Sequence, residues 1–199
     1  MNKLELFFPL KPKYLVQGFG VENTIPEMIP KYASIGLKGH NGWDLVASSG
    51  QEVRATHDGT VTYAGLDGAN GNILVLKTND IFEYEGYEVY FKTLYGHLKS
   101  FNVLVGAQVK TGDLVAFADN TGMTTSDHLH FGLKPVVQGE QEWVWFNLEQ
   151  DNGYNGAIDP APYFNGFYAV DSQRVREKAN ALIRLLEMLL NFLKGRQIK

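Results

Sequence analysis

No cysteine occurs among the 199 residues, which excludes a disulfide framework and a thiolate metal site. No uninterrupted apolar run reaches the ~18 residues that a spanning helix needs. The amino-terminal MNKLELFFPL is broken by Glu5 and Pro9 and has no small-residue cleavage site, so it does not read as a signal peptide. No segment of the body gathers basic residues with interleaved aromatics, which argues against nucleic acid as a partner. Histidine is scarce as well: His40, His57, His97, His128 and His130 are all there are. Any metal must therefore be held by these, by Asp or by Glu.

The chain is 44% hydrophobic and 13% aromatic, with 21 Gly and 7 Pro. A chain of this length buries roughly 70% of the surface it exposes when unfolded, so a core forms without covalent staples. Charge is uneven. The formal net charge of −4 combines an acidic body over 1–170, with 11 Lys/Arg against 19 Asp/Glu, and a basic tail over 171–199, with 7 against 3.

From residue 50 onward the sequence reads as strand and turn. VRAT, TVTYAG, ILVLKT, YEVYFKTLYGHL, VLVGAQVKTGDLVAFA and HLHFGLKPVV are apolar alternations closed by Gly, Asp or Asn. The reading is mainly β, seven to nine short antiparallel strands in a barrel-like sandwich, with Asp58-Gly59 and Gly112-Asp113 as tight turns. Residues 20–38 and 138–160 read as long surface excursions of the kind that shape a site. The period then changes. Val175, Ala179, Leu182, Leu186, Leu189, Leu190 and Leu193 predict a carboxy-terminal amphipathic helix, with Ser172 near its start and Gly195 at its end. The expected division is a domain over 1–165 and a helical appendage over 166–199. The apolar stripe is expected to pack on the β domain or on a second copy. Arg174, Arg176, Lys178 and Arg184 beside it fit docking on an envelope or virion.

The chemistry concentrates in two short stretches. GHNGWD carries His40 and Asp44 four apart, and DHLHF carries His128 and His130 two apart. On a strand, residues i and i+2 face the same way, so both imidazoles enter one space. Joined with a His/Asp pair from a preceding loop, they supply three nitrogen or oxygen ligands and one spare group. A catalytic zinc site needs three protein ligands and an open fourth position.

These residues resemble the M23 family of zinc metallopeptidases, the lysostaphin/LytM-type peptidoglycan endopeptidases. The resemblance runs through QGFG at 17–20, GHNGWDLVA at 39–47, VRATHDGTVTYAG at 53–65, TLYGHL at 93–98, GAQVKTGDLVAFADNTG at 106–122, DHLHFGL at 127–133 and AIDPAPYF at 157–164. It covers residues ~14–165, with order and spacing preserved, and implies a β fold of the LytM, duplicated-hybrid-motif type. Carried over by position, it implies one Zn2+ per chain held by His40, Asp44 and His130, with His97 and His128 as a catalytic pair beside the metal. Such a site lowers the pKa of a bound water toward ~7 and polarises the scissile carbonyl, while imidazoles move the protons. Which of the two histidines is the base stays open. The implied substrate is peptidoglycan, cut at a stem-peptide crosslink or an interpeptide bridge, at the bacterial cell wall. With no leader visible, the resemblance leaves a phage-encoded, virion-associated or leader-trimmed protein.

The alternative is a catalytically silent wall-binding or hydrolase-activating module, part of a phage tail or envelope assembly. Modules of that kind lack one or more ligands, and this chain lacks none. His57 matches no ligand position and is expected at the surface, and Asp127 reads as a turn residue. Tyr95, two residues from His97, is a candidate to line the site. So are Trp143 and Trp145, in an excursion that also holds Phe146 and Tyr154; a flap packed on the body is the alternative for it. The chain departs from the family pattern at Gly132, where many relatives have Glu, at Trp43, where a β-branched residue is common, and in its longer stretch between Gly20 and His40. None of these touches an expected ligand.

Overall fold

The computed structural model describes residues 3–11, 13–20, 29–139 and 145–164. Contacts divide the chain into a compact unit of Met1–Asn165 and a second of Gly166–Lys199. The second unit, and with it the expected amphipathic helix, lies outside the described residues, as does Trp143.

Among the described residues the first unit is built almost entirely of antiparallel strands: β1 (Leu15–Gln17), β2 (Trp43–Val46), β3 (Glu52–Arg54), β4 (Gly59–Leu66), β5 (Asn72–Thr78), β6 (Phe82–Tyr84), β7 (Tyr87–Gly96), β8 (Leu98–Phe101), β9 (Gln108–Val109), β10 (Leu114–Ala118), β11 (His128–Gln138) and β12 (Trp145–Asn147). One short helix, α1 (Ile29–Ser34), precedes β2. The larger sheet runs β1-β2-β11-β7-β5-β4-β9, with β12 added to β11 and β6 to β7, and a second sheet runs β3-β10-β8. The two ends of the larger sheet do not pair, so the barrel-like closure expected from the sequence is corrected to an open sheet. Its edge strands have only three and two residues, and edges so short offer little ladder for closure or for pairing with another chain.

The alternation that predicts strands also sorts the two faces. In β7, Val89, Phe91, Thr93 and Tyr95 are buried, while Tyr90, Lys92 and Leu94 on the opposite face are only partly covered. In β11, Leu129, Phe131 and Leu133 point into the core, fully buried, and His128, His130, Gly132 and Lys134 alternate with them. The β7 and β11 ladder holds register from His130↔Gly96 to Val136↔Tyr90 without a bulge.

The core is closed from both ends of the unit. Leu4, Leu6, Phe8 and Leu10 are buried, and the Leu6 N–H donates to the Tyr163 carbonyl at 2.8 Å. Phe164 stacks on Trp43 with ring centroids 5.0 Å apart and meets Phe131 at 5.6 Å and Phe8 at 5.7 Å. Trp43, unusual within its motif, thus has a packing role.

Local expectations divide. Gly112-Asp113 is a turn: Gly112 has φ 87°, and the Asp113 N–H donates to the Lys110 carbonyl at 3.0 Å. Gly59 is not a turn residue. It opens β4 where any Cβ would run into the carbonyl of Lys77, so close strand approach is what needs glycine there. The stretch over 20–38 contains α1, and the stretch over 138–160 contains β12, which extends β11 through Val136↔Asn147 and Gln138↔Trp145.

Candidate metal centre

Strand β2 is paired between β1 and β11, and this pairing assembles the site: the register His130↔Asp44 places the acid of GHNGWD directly across from the second histidine of HLH. His40, just before β2, is anchored by two backbone links. Its carbonyl accepts from the Gly20 N–H at 2.8 Å, and its ring faces the Gly18 carbonyl at 3.0 Å. Three donor atoms converge. His40 Nε2 lies 3.1 Å from His130 Nδ1, and Asp44 Oδ1 lies 3.0 Å from each. Among the described residues, these three form the group able to hold a metal ion. His40 and His130 are buried and Asp44 nearly so.

This triangle fits a zinc ion on its chemistry. A carbonyl only accepts, so His40 Nδ1 carries the hydrogen it gives to Gly18, and neutral His40 then offers a lone pair at Nε2. That lone pair faces a carboxylate oxygen at 3.0 Å, two acceptors in contact unless a proton or a cation stands between them. Tetrahedral ligation at ~2.0–2.1 Å sets donor atoms roughly 3.3–3.4 Å apart, so a few tenths of an ångström of relaxation suffices. The Nδ1–H to carbonyl bond is the outer support that fixes tautomer and ring direction for a ligating histidine. Gly42 clears the other side: a Cβ there would lie 2.5 Å from the Phe131 carbonyl oxygen and 2.7 Å from His130 Cε1.

His97 and His128 flank the triangle. Their rings lie 4.6 Å apart, and the His97 ring lies 6.0 Å from that of His130. His97 follows the end of β7 with φ 59°, a left-handed conformation uncommon for a residue with a side chain. It is held there by its N–H to the Asn70 carbonyl at 2.8 Å and by Nδ1–H to the Thr121 carbonyl at 2.7 Å. His128 donates Nδ1–H to the Ser126 carbonyl at 2.9 Å and brings Nε2 within 3.5 Å of Asp44 Oδ1. Both imidazoles thus commit Nδ1 to backbone, which leaves Nε2 as the atom available for proton transfer.

Electrostatics separates the group. Burial raises the Asp44 carboxyl, but where a proton and not a metal ion stands between it and His40, the charge of His40 and hydrogen bonds from His128, His130 and His40 outweigh burial and hold the carboxyl well below its usual range. Burial lowers His97 to about 4, helped by the charges of His128 and His130 and partly offset by Thr121 and Asp44. Burial also lowers His130, against the opposing pull of Asp44. For His128, burial is outweighed by the hydrogen bond and charge of Asp44, the Ser126 carbonyl and Asp127, and the net shift is upward.

The five residues open onto a cleft of about 550 Å³ whose walls include Tyr32, Asn70, Met123, Thr124, Asp127 and Asn155. Tyr32, on α1, lies with its ring centroid 6.3 Å from that of His40, and burial plus the charge of Asp44 push its phenol up to about 12. It keeps its hydroxyl hydrogen at neutral pH. Tyr32 is not legible in the sequence, because six helical residues inside an irregular stretch leave no period to read. Asp127 is exposed, as a turn residue is expected to be, with its carboxylate accepting from the Ser49 N–H at 3.1 Å.

Two other expectations are corrected, those for Tyr95 and His57, and Trp145 lies away from the histidine cleft. Tyr95 is fully buried, its hydroxyl 2.9 Å from the Thr56 nitrogen and 2.8 Å from Thr56 Oγ1, with its ring against Phe131; it is a core residue. Trp145 packs edge-on to Tyr90 at 5.2 Å and belongs to a separate groove. His57 is buried rather than surface, bonded through Nδ1 to the Asp58 carbonyl at 2.9 Å and through Nε2 to Thr93 Oγ1 at 3.0 Å.

Residues 38–142 match the sequence profile of Peptidase family M23, over half of the chain. The chain belongs to peptidase family M23. M23 is a family of zinc metallopeptidases. Among its curated relatives, the DD-carboxypeptidase/endopeptidase Mpg of Neisseria meningitidis is 36% identical over 92 residues, 46% of this chain and 19% of that protein. Peptidoglycan DD-endopeptidase ShyB of Vibrio cholerae is 37% identical over 92 residues, 46% of this chain and 20% of that protein. The chain thus spans about a fifth of the length of these M23 relatives. Among solved M23 structures, the catalytic domain of the antimicrobial peptidase lysostaphin from Staphylococcus simulans superposes with a TM-score of 0.54 at 26% identity, covering 76% of this chain and 91% of that one. Among the described residues, no helix is long and apolar enough to cross a membrane.

Proposed function

We propose that this M23 chain is a zinc-dependent endopeptidase that hydrolyses peptide bonds of bacterial peptidoglycan. The observation that carries this reading is the triangle of His40 Nε2, His130 Nδ1 and Asp44 Oδ1, with edges of 3.0–3.1 Å, opening on a cleft that also receives His97 and His128. The names of the M23 relatives supply the substrate class.

In this reading His40, Asp44 and His130 hold the ion. When bound, zinc acts as a Lewis acid toward the scissile carbonyl and makes a water acidic enough to attack near neutral pH. His97 and His128, each with Nδ1–H fixed on a backbone carbonyl, use Nε2 to accept the proton of the attacking water and return one to the leaving amine. Either, when protonated, stabilises the oxyanion that develops in the transition state. Asp44 completes a ligand set of charge −1, which leaves the centre net positive toward the substrate oxygen. Tyr32, still protonated at the cleft wall, offers a further donor to the bound peptide. Wall is the site of action, so the protein works where peptidoglycan is exposed.

The test is digestion of purified peptidoglycans of different crosslink chemistry, with mass spectrometry of the products and zinc counted per chain. The expected result is release of new amino termini, abolished by a chelator and restored by zinc. A His130→Ala chain that still clears purified walls would overturn the reading.

A further inference from the structure

Beyond Gly132, which is buried with the Asn41 carbonyl and Leu94 beside it, the sheet face that carries the catalytic group opens again into a second groove. Along β11 the positions His130, Gly132 and Lys134 share one face, and four residues at ~3.3 Å each set Lys134 about 13 Å from His130. Lys134 is directly opposite Lys92 of β7, and Lys92 is directly opposite Lys77 of β5. Three cations thus stand abreast on adjacent strands, an arrangement that by itself is destabilising.

Lys77 is compensated. Its Nζ donates to the Thr78 carbonyl at 2.9 Å and lies over the rings of Tyr90 at 4.2 Å and Trp145 at 4.8 Å. Among the described residues Lys92 meets only the Trp145 ring, at 5.5 Å. Among the described residues, no carboxylate lies within ion-pair distance of Lys77, Lys92 or Lys134. Burial lowers the pKa of all three, and for Lys92 the charges of Lys77 and Lys134 add to it; Asp67 acts on Lys134 in the opposite sense. Lys92 and Lys134 line a groove of about 540 Å³ with an apolar floor of Val75 and Leu94 and walls that include Tyr63 and Trp145. None of the residues lining it lines the histidine cleft. The groove therefore offers two half-buried ammonium groups that, among the described residues, have no carboxylate within ion-pair distance, next to apolar and aromatic surface.

We propose that this groove is a substrate-selecting site of the same active face, where Lys92 and Lys134 receive a free carboxylate of the peptide being cleaved. The proposal rests on the endopeptidase reading, because a peptide that passes over the Asn41 backbone from one groove to the other is what spans both places. An extended peptide advances ~3.3–3.6 Å per residue, so the carboxylate lies about four residues from the scissile bond. Ammonium groups on strands are already placed, and docking of an anion relieves the repulsion between them. The apolar floor and Trp145 take the stem of the side chain that bears the acid.

The experiment uses crosslinked stem-peptide dimers from peptidoglycan, prepared with carboxylates free or with the same carboxylates amidated. The full chain is compared with Lys92→Met/Lys134→Met, which keeps the aliphatic stems and removes the charges. The expected result is a kcat/KM at least about tenfold higher for the free-carboxylate dimer, the size of one charge-assisted hydrogen bond. The difference is expected in KM, and it disappears in the double variant, which cleaves the amidated dimer as the parent does. The double variant is also expected to melt at a higher temperature; should it not fold, the single variants Lys92→Met and Lys134→Met carry the comparison. Equal cleavage of both dimers by the parent, or a preference that survives in the variants, overturns the proposal while leaving the endopeptidase reading intact. Should the parent cleave neither dimer, calorimetric binding decides: carboxylate-dependent binding that requires the two lysines supports the groove although the endopeptidase reading has failed, and its absence overturns the groove as well.

Discussion

Three histidines meet Asp44 at one end of the sheet and a fourth, His97, packs on His128 beside them, while the fifth, His57, is buried under the same sheet with every ring nitrogen satisfied. Both regions hide imidazoles from water. They differ in where the second nitrogen points. His57 spends both nitrogens on protein, one on the Asp58 carbonyl and one on Thr93 Oγ1, within a network that continues to Tyr95 and Thr56. His40, His97 and His128 each spend one nitrogen on a backbone carbonyl and aim toward the shared cleft with the other. Burial does not separate a functional histidine from a structural one here. Half-satisfaction does.

Replacing a member of the convergent group breaks the comparison most severely. His130→Ala is expected to bring hydrolysis of purified walls to background and zinc per chain from one to near zero, read by metal analysis of the purified protein. His97→Ala and His128→Ala are expected to keep the zinc and lose ~10²–10⁴-fold in rate, the scale of general acid–base catalysis. A His97→Ala chain that purified without zinc would place His97 among the ligands and redraw the group. Gly42→Ala, which crowds His130 and the Phe131 carbonyl, is expected to weaken zinc about 10–100-fold in a competition titration, as loss of ligand support does.

The other region answers to stability instead. His57→Ala leaves a cavity and removes one hydrogen bond of Thr93 Oγ1, which keeps Leu76 and Tyr95 as partners, with an expected loss of about 2–4 kcal/mol in denaturant unfolding and unchanged zinc content. The pH dependence sharpens the contrast. His57 is held at about 4 in the folded chain against 6.5 as the ordinary value, mainly by burial. Its contribution is fully present above pH 6.5, where the ring is neutral in both states. It is lost as pH falls from 6.5 to 4, because the unfolded chain takes up the proton first, by about 3 kcal/mol in all. A His57→Gln chain is expected to show a flatter stability profile across that window, and a profile parallel to the parent's would remove His57 from the account.

His40, Asp44, His128 and His130 are legible in the sequence because their geometry is local, whereas His97 is reached only through the resemblance to the M23 family. Two histidines on one strand face and a His/Asp pair beside a strand need only the period of two and one pairing, His130↔Asp44, to meet. What was not legible depends on partners remote in the chain or on a break in the period. His57 is 36 residues from the Thr93 that satisfies it. Tyr95 was assigned the face of His97 from their spacing, yet β7 ends at Gly96 and the left-handed φ of His97 turns its side chain out of the alternation. Trp145 reads as part of an irregular excursion because three residues of strand are too few to show a pattern, and it is the register with Gln138 that fixes its place. The open sheet follows from edge pairing, which no alternation encodes.

The aromatic cluster around Phe164 works as a clasp. Phe8 and Trp43 on one side and Phe164 on the other close the core together, and Ile158 bonds to Leu133 at the back of β11. The strand that carries His128 and His130 is thus joined to β2 twice, by the ladder from His128↔Val46 to Phe131↔Trp43 and by the rings of Trp43, Phe131 and Phe164. The ladder sets the register of the two strands, and the rings fasten them from the face away from the histidines.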